Sequence, residues 1–396
     1  MHLSDTIQRL SESATLAMAR KSRELKEKGV DVISLSLGEP DFDTPDFIKK
    51  AAIEAIHGDY SSYPPVNGYA EVREAISKKF KRDNGLDYSP SQIVVSNGAK
   101  QSIANIALAM VSTGEEVILP APFWVSYEEI VKLANGIPKI IKTGIETDFK
   151  ITAQQLDEAI TPNTRMMIFS SPCNPTGSVY SKEELYEMAK VIQKYPNFYV
   201  VSDEIYEHIN FAGKHESLAQ FDSIYDRVIT VNGVSKSFAM TGWRIGYIGA
   251  ADWIAKACTK IQGQVTSGAC GIAEKAAECA VLADPSVTKD MVVQFRKRRD
   301  FMIEELSKID GLQINHPEGA FYIYPEVSSF LGRSYQGQQI NTTSELTEFL
   351  LEEVHVAFVA GEAFGTPGYI RISYAASMDE LREAVSRLKK GLGLLS

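Results

Sequence analysis

The chain has 396 residues, 44% of them apolar and 23% charged, with a formal net charge of −10, the composition of a globular enzyme long enough for two hydrophobic cores. That acidity argues against nucleic acid or an anionic membrane as the main partner, so any anion site has to be a local basic pocket. Cys173, Cys258, Cys270 and Cys279 show no CxxC pair, the opening MHLSDTIQRL lacks the layout of a secretion signal, and no apolar run is long enough to span a bilayer, which points to a cytoplasmic protein without a metal site or disulfides.

From Leu10 to Lys28 small, apolar and charged residues recur at helical spacing and predict a helix closed by Gly29. The apolar run VDVISLSLG follows and leads into GEPDFDTP, whose prolines and acids cannot continue a regular element. Thr44 and Pro45 suit the start of a helix near Asp46. Gly38 is either part of a plain surface turn or a place where backbone approaches a ligand closely, since glycine alone leaves that room. GDYSSYPPVNG, residues 58–68, is irregular by composition.

From Gln92 the pattern QIVVSNGAKQSIANIALAM reads strand, glycine turn, helix. Amides at such a helix N-terminus favour an anion, and Gly98 and Ala99 would present them. Lys100 opposes the helix dipole there, so it either points into water or binds a substrate carboxylate. EEVILPAP is a predicted strand ahead of Phe123 and Trp124. TRMMIFSSP is another, running into the turn CNPTG that carries Asn174.

NFYVVSDEIYEHI is nearly all apolar up to Asp203, as a strand of a parallel sheet covered on both faces should be. A carboxylate at the carboxyl end of such a strand lies where α/β sheets put ligands. RVITVNGVS is the next strand, and it delivers Lys236. Residues 252–306 read as long helices, EGAFYIYPEV and VHVAFVAGEAFG as strands, and YIRISYA as a strand in which Arg371 faces either solvent or a cleft.

The stretch GVSKSFAMTGWRIG, residues 233–246, concentrates the chemistry. A lysine amine is a poor nucleophile near its free pKa of roughly 10.4, so an enzyme using one desolvates it or gives it cationic neighbours. Arg244 can be such a neighbour and can also clamp a phosphate with two prongs. A cofactor with both an aldehyde and a phosphate is indicated, and pyridoxal phosphate is one. Ser235, Lys236, Ala239, Met240, Gly242, Arg244, Ile245 and Gly246 resemble the lysine-attachment motif of the class I and II aminotransferases.

With GEPDF, YPPxxG, NGAK, NPTG, DEIY and RIS in the same order, the whole chain resembles the fold type I pyridoxal-phosphate aminotransferases of the aspartate aminotransferase family, bacterial subgroup. The resemblance implies an α/β fold: a three-layer large domain, residues 46–286, with a mostly parallel seven-stranded sheet, and a smaller α+β domain from both chain ends, residues 1–45 with 287–396. It implies a homodimer with shared active sites, in which Tyr63 reaches the partner's cofactor phosphate; a buried packing tyrosine is the alternative. It further implies that Trp124 stacks on the pyridine ring, that Asn174 and Tyr206 hydrogen-bond its phenolic oxygen, and that Asp203 holds the ring nitrogen protonated. Lys236 would be the covalent anchor and the acid–base, while Gly38 and Arg371 grip the substrate α-carboxylate. A serine common three positions before the lysine is Gly233 here, so Ser235 is expected to supply a phosphate contact.

Ser13, Thr15 and Lys100 match positions that read a distal carboxylate in the subgroup, which implies aspartate and 2-oxoglutarate as substrates. Relatives that accept prephenate carry a KPS arrangement where this chain has Ser11, Glu12 and Ser13, so prephenate is disfavoured. Aromatic or alanine transamination is an alternative. A pyridoxal-phosphate lyase would share Lys236, Asp203 and Arg244, and a non-catalytic regulator would need an added DNA-binding region for which the short N-terminus offers no room.

Overall fold

Strands without a polar face need cover on both sides, and the apolar runs of this chain find it in a seven-stranded sheet. Its order across is Ile93–Ser96, Gly246–Gly249, Val228–Gly233, Tyr199–Asp203, Thr164–Ser170, Glu116–Ala121, Ile137–Lys142. Gly246–Gly249 alone runs antiparallel to its neighbours. The computed structural model describes residues 3–396, so Met1 and His2 lie outside it.

Successive side chains along a strand point to opposite faces, and the two cores sort accordingly. Val95, Met167 and Val200 join a core with the helices Ala70–Lys79, Lys182–Gln193 and Gly271–Leu282. Their neighbours Val94, Ile168 and Val201 join another with Ala99–Met110 and Asp252–Val265. This is the expected three-layer arrangement. Register then fixes the site: Ser170 stands opposite Asp203 and Asp203 opposite Val231, so the carboxyl ends of three adjacent strands share one edge.

Both chain ends meet in a further core, where Ile33 and Leu35 pack with Phe295, Phe321, Val356, Ile372 and Leu388. Its small antiparallel sheet is ordered Val359–Ala360, Ile370–Ser373, Tyr322–Ile323, and Ile33–Ser34 pairs in parallel with Val356–Ala357.

Several local expectations shift. The helix predicted from Leu10 begins only at Ala14, with Ser13 in the N-cap position; a separate short helix, Asp5–Arg9, precedes it. Gly29 does close it, with φ of +83°. Thr44 caps nothing: its hydroxyl donates to the Ala239 carbonyl at 2.7 Å, and Pro45 takes the N-cap position of Asp46–His57. Residues 252–306 break into Asp252–Val265, Gly271–Leu282 and Lys289–Leu306. The apolar runs near residues 32–37, 319–326 and 356–360 yield strands of two residues each, with the last run interrupted at Phe358.

Candidate active site

A cavity of about 280 Å³ opens where the carboxyl ends of the large sheet face the core built from the chain ends. Ser13, Thr15, Gly38, Ala99, Lys100, Trp124, Asn174, Asp203, Tyr206, Ser235, Lys236, Arg244 and Arg371 all line it. Of the expected site residues, Gly98 and Tyr63 stand outside the lining.

Lys236 follows the strand Val228–Gly233 and donates from Nζ to the Gly38 carbonyl at 2.5 Å. Burial lowers its pKa to about 8, against the pull of Glu39 and with help from the Arg371 and Arg244 cations. At pH 7 that leaves about a tenth of the amine free, against about one part in 3,000 at the usual value.

Arg244 sits in the left-handed region at φ +59° and is tied by Nη1 to the Thr241 carbonyl at 2.8 Å. Gly98, at φ +83°, is the N-cap of Ala99–Met110, and a Cβ on it would run into the Arg244 guanidinium. Gly98 therefore stands behind Arg244, where only a bare backbone fits. Helix N-terminus and guanidinium converge into an anion cradle. At Gly233 a Cβ would lie 2.8 Å from the Ile245 carbonyl and 3.0 Å from Gly246 Cα. The tight pairing with Gly246 thus leaves no room for a serine side chain at position 233, whereas Ser235 is buried and lines the cavity.

Asp203 is 5% exposed. Its Oδ2 accepts from the Tyr127 hydroxyl at 2.7 Å and its Oδ1 from the Ile205 amide at 3.2 Å. Burial lifts its pKa to about 6 despite those two bonds. Tyr206 shares a hydrogen bond of 2.8 Å with the Tyr322 hydroxyl, and burial pushes its pKa well up, so it is a neutral phenol.

Arg371 resolves its two alternatives: it is 1% exposed, inside the cleft. Nη1 donates to Asn174 Oδ1 at 2.9 Å, Nη2 to the Ser36 carbonyl at 2.5 Å, and Nε has no partner. With its Oδ1 so engaged, Asn174 keeps its amide nitrogen for another acceptor. Phe123 is 2% exposed and belongs to the core, while Trp124 lines the cavity with the Lys100 ammonium 5.0 Å from its ring centroid. The Thr15 hydroxyl is buried without a partner, and the Ser13 hydroxyl caps no amide. Tyr63 is 96% exposed, which excludes packing inside its own chain.

Lys100, Lys236, Arg244 and Arg371 make no ion pair among the described residues. Four unpaired cations around one cavity, in a chain of net charge −10, form the local basic pocket that the composition demanded. An unpaired buried guanidinium asks for a carboxylate. The low-pKa amine, the cradle at Gly98 and the buried Asp203 fit the aldehyde, phosphate and ring nitrogen of pyridoxal phosphate. Two participants carried no motif: Tyr127 on Asp203, and Tyr322, whose ring lies 4.7 Å from the Arg371 guanidinium.

Residues 30–388 match the family Aminotransferase class I and II. The chain belongs to that family. This aminotransferase is 46% identical to an aspartate aminotransferase of Pinus pinaster over 99% of its own length and 81% of that protein. It is 45% identical to an aspartate/prephenate aminotransferase of Nitrosomonas europaea, over 98% and 99% of the two chains. Among solved structures, the aspartate aminotransferase of Rhizobium meliloti superposes with a TM-score of 0.96 at 38% identity, covering 100% of both chains. That of Thermus thermophilus, solved with maleate, superposes with a TM-score of 0.92 at 38% identity, covering 99% of this chain and 100% of that one. The aminotransferase is thus of fold type I and of the aspartate aminotransferase family, and its cofactor is pyridoxal 5'-phosphate.

Proposed function

We propose that this aminotransferase moves the amino group between aspartate and 2-oxoglutarate in a ping-pong cycle. The observation that carries it is the pairing, in one cavity, of a buried Arg371 that has no carboxylate partner and a free Nε with a second group of anion-seeking side chains, Lys100, Thr15 and Ser13. Such a cavity suits a substrate with a carboxylate at each end, and the Thermus thermophilus relative was solved with maleate.

When bound, pyridoxal phosphate supplies an aldehyde and a ring that accepts the electrons of a broken Cα–H bond. Arg371 and the backbone at Gly38 fix the substrate α-carboxylate. Lys236, free as an amine, would take the α-proton and return it to the cofactor carbon, acting as base and then acid. Asp203 keeps the ring nitrogen protonated, Asn174 and Tyr206 donate to the phenolic oxygen, and Trp124 covers the ring. Ala99, Ser235 and Arg244 would hold the phosphate, while Gly98 spends its amide on the Ser96 carbonyl and leaves room for the Arg244 guanidinium.

Residues 46–286 would form the cofactor-binding domain and 1–45 with 287–396 the small domain, in keeping with the separate core that joins Ile33 to Leu388. A homodimer would explain Tyr63, solvent-exposed in the single chain. Free Cys173, Cys258, Cys270 and Cys279 agree with a cytoplasmic location, and no described helix is long and apolar enough to cross a membrane.

Prephenate is the second reading, favoured by the Nitrosomonas europaea relative. Against it, the cleft adjoining the cavity beside Lys100 is edged by Glu12, Glu128 and Glu129, its other cation Lys132 is taken up by Glu128 and Glu129, and Glu12 pairs with Arg20 at 3.3 Å instead of offering a cation. Aspartate alone should release one equivalent of oxaloacetate and alter the cofactor absorbance, and 2-oxoglutarate should restore it. Release of ammonia and pyruvate would mark a lyase instead, and faster turnover of prephenate would reverse the substrate assignment.

A further inference from the structure

Tyr127, in the helix Ser126–Leu133, is 1% exposed. Its hydroxyl donates to Asp203 Oδ2 at 2.7 Å, and its ring stands edge-on to Trp124, with centroids 5.5 Å apart and planes 85° apart. We infer that Tyr127 is a positioning residue that orients the cofactor ring in two directions, through the carboxylate facing the ring nitrogen and through the indole covering the ring face. This rests on the roles assigned above to Asp203 and Trp124.

Packing alone does not call for the oxygen, since phenylalanine would fill the same space and bury no polar atom. A carboxylate has about four lone-pair sites. The Ile205 amide holds Oδ1 and Tyr127 holds Oδ2, one donor on each oxygen, which stops the carboxylate from turning while Asp203 still lines the cavity. A hydrogen bond to the ionised form also favours it. Burial and the neighbouring Asp203 push the phenol's own pKa far up, so it stays protonated and donates to the carboxylate. The charged and titratable groups facing this pair are Glu204, which disfavours the Asp203 anion, Lys236, which favours it, and Tyr206 and Cys173, both raised by burial.

The test is Tyr127→Phe, which deletes one oxygen and keeps the ring against Trp124. Cofactor-free protein is titrated with pyridoxal phosphate from pH 5 to 8, with bound cofactor read by absorbance. Loss of a charge-assisted hydrogen bond predicts Kd raised about tenfold at pH 7, and the acid limb where affinity falls moved up by about one pH unit. The kcat for aspartate should fall while KM changes less than about twofold. In an Asp203→Asn background the same change should have no further effect on Kd, spectrum or acid limb. Wild-type affinity and acid limb in Tyr127→Phe would overturn the proposal, as would an equal effect in the Asp203→Asn background. If Asp203→Asn alone leaves affinity and spectrum as in wild type, the role of Asp203 itself falls.

Discussion

A buried amine among cations is poised to be neutral, and that poise has a pH signature. Lys236 has its pKa lowered to about 8 by burial, so cofactor-free protein should capture pyridoxal phosphate faster as pH rises and level off above about 8. Stopped-flow absorbance against pH measures this, and a rate still climbing toward pH 10 would contradict it. The carboxylate contacts divide between two residues. Arg371→Lys removes the two-pronged grip and should lower kcat/KM for aspartate and alanine alike, by roughly a hundredfold or more. Lys100→Met should raise KM for aspartate by at least about tenfold, a charge-assisted hydrogen bond lost, and leave KM for alanine nearly unchanged. Equal effects on both substrates would remove Lys100 from the distal subsite.

Two glycines at element ends fix the cofactor cradle. Gly98 has φ of +83° and no room for a Cβ beside Arg244, so Gly98→Ala should weaken cofactor binding by displacing that guanidinium. At Gly233 the strand pairing excludes a side chain, so Gly233→Ser should lower stability by about 1–3 kcal/mol, seen as a lower Tm, with no gain in cofactor affinity. A serine tolerated there with tighter cofactor binding would contradict this. Element ends were also where the sequence was least informative. The helix start at Ala14, the Thr44 hydroxyl turned to the distant Ala239 carbonyl and the break at Phe358 are not encoded in local periodicity. The sheet strands were legible because a strand buried on both faces reads as a continuous apolar run. Tyr127 and Tyr322 were not, because a tyrosine whose hydroxyl meets a partner distant in the chain looks like any core aromatic.

Across the whole molecule, both chain ends fold back over the carboxyl edge of the large sheet, bringing Ser13 and Arg371 into one cavity with Lys236. Residues so far apart in sequence were placed together by resemblance; no spacing rule predicts it. Binding a ligand only the folded state holds stabilises that state, by about 2.7 kcal/mol at a hundredfold excess over Kd, so pyridoxal phosphate should raise Tm and Lys236→Ala should blunt the rise. Tyr63, at 96% exposure, belongs to the assembly scale. Sedimentation should give twice the chain mass, and Tyr63→Ala should loosen the cofactor without loss of fold. A monomer with full activity would contradict shared sites.

The central claim is that Lys236 holds pyridoxal phosphate in this cavity and uses it to transfer the amino group of aspartate. The most direct measurement is the visible absorbance of purified wild type and Lys236→Ala, recorded while aspartate and then 2-oxoglutarate are added and oxaloacetate is followed. Wild type should carry a visible chromophore that aspartate shifts and 2-oxoglutarate restores, with oxaloacetate released, and Lys236→Ala should lose the wild-type band and the turnover. A colourless wild type, or a Lys236→Ala protein with unchanged absorbance and turnover, would contradict it.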